Sequence, residues 1–288
     1  MTATLEQNPK ELTRQALAKL SAIATLPEVT ANIISTVEDP KSTAAKLHKI
    51  VSNDPALVTR VLKVVNSAFY GLPGQIASVE RAIVLLGLNA VKNIAVAASM
   101  GQMFRGVTLC TGYTARDLWA HCVDVAVTSR ELAKQSKLPL GEEAFLAGMI
   151  HDIGILVSLQ TWPEQLREVC EEAKAAATPF IDIERRIIGV DHQVLGRGLA
   201  EKWQFPASCQ AVAGHHHEPL GHAEGNRLLV SLVHVADTLC CQSKQGFPLT
   251  AQRQTIESAA TAGIDPAVIE RTRSMLPALL QNARAFVD

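Results

Sequence analysis

The chain has 288 residues, enough for one large domain or two small ones around a sizeable core. Hydrophobic residues make up 48% and charged residues 19%, a balance that excludes a disordered polyelectrolyte. Lys plus Arg number 27 against 28 Asp plus Glu, so no overall basic excess marks the chain for nucleic acid or an anionic membrane.

No apolar run long enough to span a bilayer is expected, and Met1 to Lys10 lacks the apolar segment of a signal peptide. Cys110, Cys122, Cys170, Cys209, Cys240 and Cys241 show no CxxC pair and no framework spacing. They read as reduced, mostly buried thiols of a cytoplasmic protein.

Taken in order, residues 1–10 are polar and read as a flexible start. Leu12, Leu17, Leu20 and Ile23 fall at helical spacing, and Pro27 restarts the chain into a second helix, Glu28 to Val37. Ser42-Thr43 can cap a helix carrying Leu47, Ile50 and Val51. Asn53-Asp54-Pro55 is a start signal, with Asp as cap and Pro at the first helical position. Leu57, Val58, Val61, Leu62, Val64 and Val65 then make one wide apolar face. Ser78 opens another helix, ended by Gly87, and Asn89 can cap a third that runs to Met103.

Residues 106–114 are small and turn-prone, and mark the candidate boundary between subdomains. A long helix is expected from Ala115 to about Gln135, and a helix from Glu142 to about Leu159 carries His151-Asp152. Pro163 and Pro179 sit near the starts of two more. Asp191 can cap a helix beginning with His192, and Pro206 starts one that ends in His215, His216 and His217. Asn226 to Cys241 is apolar with Asp237 inside it, and two tail helices follow Thr250 and Asp265-Pro266. No alternating strand pattern is found. The fold is therefore read as all-α, a compact multi-helix bundle. It divides into an N-terminal helical subdomain (11–105), a second subdomain (115–245) and a helical tail (246–288).

A His-Asp pair inside the apolar run Ala147 to Leu156 is costly unless it is paired or bound to a metal. Asp117 and His121 lie four apart on one helix face. Imidazole and carboxylate donors together suit Zn, Mn or Fe. Two such ions about 3.5–4 Å apart could hold a phosphoryl oxygen for in-line attack. A lone histidine on an apolar helix is more simply a satisfied core residue, and His121 or His234 taken alone reads that way. Adjacent helix positions diverge by about 100°, so His215, His216 and His217 cannot all face one point. His48 and His222 read as solvated, as do Arg60, Lys63, Arg81 and Lys92 on successive helices.

His121, His151-Asp152 and Asp237 resemble the H…HD…D pattern of the HD phosphohydrolase superfamily. His192 in Asp-His-x-x-x-Gly and His216-His217-Glu218 resemble the additional histidines of its HD-GYP branch, which degrades cyclic diguanylate. The resemblance implies His121, His151, Asp152, His192, His216, His217 and Asp237 as metal ligands, with Asp152 bridging. Asp117 lies where some HD-GYP proteins carry an extra Glu ligand. The chain departs from that branch in carrying Ile155 where a lysine follows HDIG, and in lacking the Gly-Tyr-Pro element after Glu218.

The N-terminal motifs point to one branch. Asn53-Asp54-Pro55-Ala56-Leu57, Val65-Asn66-Ser67-Ala68-Phe69-Tyr70-Gly71 and Ser78-Val79-x-x-Ala82-Ile83-x-x-Leu86-Gly87 resemble the HDOD domain, an HD-related output domain of bacterial signalling proteins. The resemblance implies a regulatory module whose partners are signalling proteins supplied in trans, in a family that commonly lacks an intact metal set; the ligand positions retained here add one or two divalent metals (Fe, Mn or Zn), and the absence of a basic stripe or an apolar span argues against nucleic acid and a membrane. Its alternative is a metal-dependent phosphohydrolase acting on a nucleotide or cyclic dinucleotide.

Overall fold

The structure, a computed structural model, describes residues 9–19, 28–36, 41–175, 178–221, 224–243, 249, 256 and 261–287. Six helices come first: α1 (Pro9–Lys19), α2 (Glu28–Ser35), α3 (Ala44–Ser52), α4 (Pro55–Val65), α5 (Val79–Leu86) and α6 (Leu88–Met100). Their starts follow the local chemistry. Thr43, Asp54 and Ser78 sit in extended backbone and accept the amides of Lys46, Leu57 and Arg81. Asn66 links α4 to the following loop, its side chain bonding both the amide and the carbonyl of Ile76.

The chain then forms α7 (Ala115–Gln135), α8 (Gly141–Ile150), α9 (Ile153–Thr161), α10 (Pro163–Ala175), α11 (Phe180–Ile187), α12 (His192–Lys202), α13 (Ala207–His215), α14 (Arg227–Gln242) and α15 (Pro266–Ala283). The all-α reading holds for the described residues, with one small exception. The Gly-rich stretch contains a two-strand antiparallel hairpin, β1 (Thr108–Cys110) and β2 (Tyr113–Thr114), turned by Gly112 at φ 86°. Three residues of strand are too few to leave an alternating pattern.

Other expectations change in detail. Pro9 and Lys10 belong to α1 rather than to a frayed start, while residues 1–8, the later part of the first expected helix, Val37, His222 and most of the helix expected after Thr250 (250–255 and 257–260) lie outside the described residues. Gly87, not Asn89, caps α6. The single helix expected over 142–159 is two helices broken at His151-Asp152. The stretch Gly141–Thr161 is also long and apolar enough to cross a membrane by length and composition, contrary to the sequence reading, but 89% of its apolar 18-residue window is buried within the fold. Lys92, read as solvated, is 3% exposed on a helix buried on nearly every side.

The helices around the His-Asp break set its geometry. α7 packs against α8, α14 and α15, and α12 lies between α9 and α13. These seams are close because glycines line them. A Cβ at Gly148 would stand 3.0 Å from Ala126 Cα, and one at Gly154 would stand 1.9 Å from the His192 carbonyl oxygen. The aliphatic fill between them (Val123, Val127, Leu146, Ile150, Leu156, Leu195, Val233) is buried throughout, each side chain contributing about 1.5–3 kcal/mol.

Candidate metal centre

All seven of the residues singled out converge on one buried point. His121 comes from α7, His151 and Asp152 from the α8/α9 break, and His192 from the first position of α12. His216 caps the end of α13, His217 follows it, and Asp237 projects from within α14. None is more than 5% exposed.

Asp152 is at the middle. Its Oδ2 lies 3.3 Å from His151 Nε2 and 3.6 Å from His121 Nε2, and its Oδ1 lies 3.3 Å from His216 Nε2 and 3.5 Å from His192 Nε2. One carboxylate therefore faces two sets of donors. His121, His151 and Asp237 form one set, each with a ligand atom within 4.8 Å of the others, and His192, His216 and His217 form the second with Asp152. Asp237 also reaches both, at 3.1 Å from His121 Nε2 and 3.8 Å from His217 Nδ1.

The rings are aimed from behind. His151 Nδ1 donates to the Gly148 carbonyl (2.8 Å) and His216 Nδ1 to the Val212 carbonyl (3.1 Å). A carbonyl can only accept, so each Nε2 is left facing the cluster. His192 Nδ1 bonds the buried carboxylate of Glu184, which also accepts the His192 amide. Gln193 accepts the His217 amide (2.9 Å), and His234 Nδ1 donates to the His216 carbonyl (2.8 Å). Glu184 and Gln193 escaped the sequence reading. The only signal for Glu184 is an acid eight residues before a ligand histidine, on the buried side of the short amphipathic helix α11.

Other candidates fall elsewhere. Asp117 makes a capping box with Thr114 at the start of α7 and does not join the cluster, because its position at the third helical residue satisfies that end first. His215 lies against Arg197, away from its two neighbours, as the divergence of adjacent helix positions requires. His48 pairs with Glu80 at the surface (2.8 Å). Ile155, in the place of the expected lysine, is 1% exposed in the core.

Burial would raise the Asp152 carboxyl, but the charge of His151 and the close approach of the His151 and His216 rings outweigh it and hold the group well below the usual range. Asp237 is likewise lowered, with His121 overcoming the effect of burial. Burial pushes His216 down to about 4 and His217 well below its ordinary value. His192 moves the other way: burial opposes it, but Glu184 lifts it to about 9. The result is two carboxylates that stay ionised beside two neutral imidazoles, His216 and His217, while His151 is raised along with His192, so that ligation would displace protons from those two rings.

The residues fit a divalent metal. Both Asp152 oxygens, His151 Nε2, His216 Nε2 and His217 Nδ1 are buried without a hydrogen bond, a costly condition that ligation would relieve. Mixed imidazole and carboxylate donors suit Zn, Mn or Fe.

The HDOD domain family matches residues 23–219, more than half of the chain. The chain belongs to the HDOD family. Its fold is that of an HDOD domain protein of unknown function from Geobacter sulfurreducens, with a TM-score of 0.84 and 19% identity over 96% of this chain and 98% of that one. It is also similar to a Shewanella amazonensis protein provisionally described as a phosphohydrolase, with a TM-score of 0.76 and 23% identity over 94% and 97% of the two chains. An uncharacterized protein of Treponema pallidum is 26% identical over 222 residues, covering 76% of this chain. This HDOD chain spans 42% of the length of that relative.

Proposed function

We propose that this HDOD protein is a regulatory signalling module whose buried His/Asp centre holds one or two divalent transition metals, and that it acts through contacts with signalling proteins supplied by other chains. One observation carries this reading: seven donors share a single centre, and every one is sealed in the core at 5% exposure or less. A nucleotide phosphate would have to displace packed helices to reach them. The positive charges acting on Asp152 are histidines, and the place where a phosphate-binding lysine is expected holds buried Ile155. A phosphohydrolase without a fixed cation loses transition-state charge stabilisation.

The placement of Asp152 supports a second reading, the metal-dependent phosphohydrolase. A carboxylate offering one oxygen to each donor set is the arrangement that a two-metal hydrolase needs. A bound pair of ions would supply Lewis acidity and an activated water. The chain itself would contribute Asp152 and Asp237 as fixed negative charge and the five histidines as nitrogen donors.

Elemental analysis of the purified protein, paired with assays on bis(p-nitrophenyl) phosphate and cyclic diguanylate, separates the two. The regulatory reading expects bound transition metal that is lost in Asp152→Ala, a melting midpoint that falls on chelation, and no hydrolysis of either phosphodiester. Phosphodiester cleavage that disappears in Asp152→Ala would overturn it.

A further inference from the structure

Where α4, the end of α6 and the C-terminal turn meet, three cations line one pocket. Arg60 and Lys63 come from α4, and Arg105 follows the short turn Gly101–Phe104 that continues α6. Small and apolar residues complete the wall, chiefly Ala97, Ala98 and Phe286. The volume is ≈ 80 Å³, and no carboxylate lines the pocket among the described residues.

These cations lack acceptors. Elsewhere on the surface Arg14, Arg167 and Arg197 each meet a glutamate three or four residues away. Among the described residues the side chains of Lys63 and Arg105 make no hydrogen bond or ion pair. Arg60 is only 31% exposed, and its Nε is buried without a hydrogen bond. Its Nη2 stands 3.8 Å from Asp54 Oδ2, beyond hydrogen-bond reach, and Asp54 is engaged through Oδ1 as the cap of α4. A guanidinium stays charged and presents five donors in a planar fork. Leaving one unbonded in a partly buried position is costly. Like charges gathered on so small a pocket also repel one another. An anion would relieve both costs.

Size and charge select the anion. The pocket is far smaller than the ~300–1,000 Å³ of sites that enclose a drug-sized molecule, so it takes one oxyanion group and leaves the remainder outside. A carboxylate or a phosphodiester carries a single negative charge. A phosphomonoester carries about 1.5–2 at neutral pH, with three acceptor oxygens, and arginine forks match phosphate oxygens in pairs. We propose that this pocket binds the phosphate group of a small phosphomonoester, held by Arg60, Lys63 and Arg105.

The pocket also has a mechanical position. Phe286, part of its wall, packs on Phe69 and on Phe145 of α8, at 5.3 and 5.5 Å between ring centroids, and its carbonyl accepts the Trp119 indole N–H of α7 (3.3 Å). A bound phosphate would therefore tie α4 to a turn that is anchored on α7 and α8. The binding does not depend on what the His/Asp centre holds.

The test is calorimetric titration and thermal melting of the full chain with methyl phosphate, glucose 6-phosphate and AMP. Dimethyl phosphate and acetate serve as monoanion controls. At least one phosphomonoester is expected to bind saturably and to raise the melting midpoint by about 5 °C at about one hundred times its Kd. Both controls should bind at least tenfold more weakly. Lys63→Gln and Arg105→Gln, changes at exposed positions, should each weaken binding at least tenfold, and Arg60→Gln at least as much. Arg271→Gln, at an exposed position of α15, should leave it unchanged. No binding by any of the three monoesters, a control that binds as tightly, or binding unchanged in both Lys63→Gln and Arg105→Gln would overturn the proposal. So would binding by a phosphoserine tripeptide alone, which would assign the pocket to a protein partner. Binding that emerges only in Asp288→Asn would also overturn it, by assigning the pocket to the acid that follows Val287 in sequence. Every arm is read without reference to metal content, so failure here is distinguishable from failure of the metal-centre reading.

Discussion

Asp54 and Asp152 occupy the same place in their helices, the residue just before the first turn, and do opposite things there. Asp54 accepts the Leu57 amide at 2.9 Å and starts α4. Asp152 makes no capping bond to α9 and gives both oxygens to histidines. The contrast extends beyond the pair. α3, α4 and α5 begin with side-chain caps, whereas α8, α9, α13 and α14, four helices that carry or flank the donors, begin without one. In the N-terminal helices polar side chains complete local backbone. Around the centre α7 and α12 keep such caps, at Thr114 and Asp191, while the starts of α8, α9, α13 and α14 lack them and are held by tertiary packing instead.

The largest expected effect tests whether packing does replace caps there. Gly154 lies two residues beyond Asp152, and a methyl at that position would overlap the His192 carbonyl at 1.9 Å and the Gly196 amide nitrogen at 2.6 Å. Both are backbone atoms of α12, so no side-chain rotation relieves the clash. Gly154→Ala should cost more than about 4 kcal/mol. Gly141→Ala, whose new methyl meets only the Arg130 Cγ at 3.5 Å, should change stability little. Urea unfolding of the two variants checks this, and similar midpoints would show that the α9/α12 seam is not what holds α9.

This division governs what the sequence discloses. Capped starts are local, so Asp54-Pro55 and Ser78 can be read directly, and the long α7 is recovered between its expected ends. The His-Asp break is not local. Ala147 to Leu156 has an uninterrupted helical composition, and only contacts from α7, α12 and α13 explain why two helices replace one. The donors could be picked out because a charged pair in an apolar run has few explanations, and because the family's spacing supplied the rest. Glu184 and Lys92 were missed for a shared reason. An isolated charge on an amphipathic helix looks like any solvated charge until its neighbours across the core are known.

Glu184 gives the intermediate effect. Its carboxylate bonds both the ring and the amide of His192, and burial pushes its own pKa up. Glu184→Gln keeps the size and loses the charge. It should therefore weaken metal binding by about 10–100-fold by releasing the ring that faces Asp152 Oδ1. Competition against a chelator of known affinity measures it. Affinity unchanged within twofold would mean that His192 is held by packing alone.

The smallest effect returns to the two aspartates. Asp54→Ala removes one capping bond from a helix whose Pro55 and apolar face remain, so it should cost about 1 kcal/mol. That corresponds to a fall in melting midpoint of roughly 2–4 °C for a chain of this size. The loss should be the same with and without added metal, because Asp54 contacts none of the donors. Asp152→Ala should behave differently. It forfeits no cap, so its whole effect should depend on the metal: a gap from the parent that is wide in metal-loaded protein and narrows after chelation. Melting curves of both variants in the two conditions give four differences from one instrument. If Asp54→Ala became metal-dependent, or the Asp152→Ala gap did not narrow on chelation, a helix-start aspartate could not be assigned to fold or site from its bonding alone.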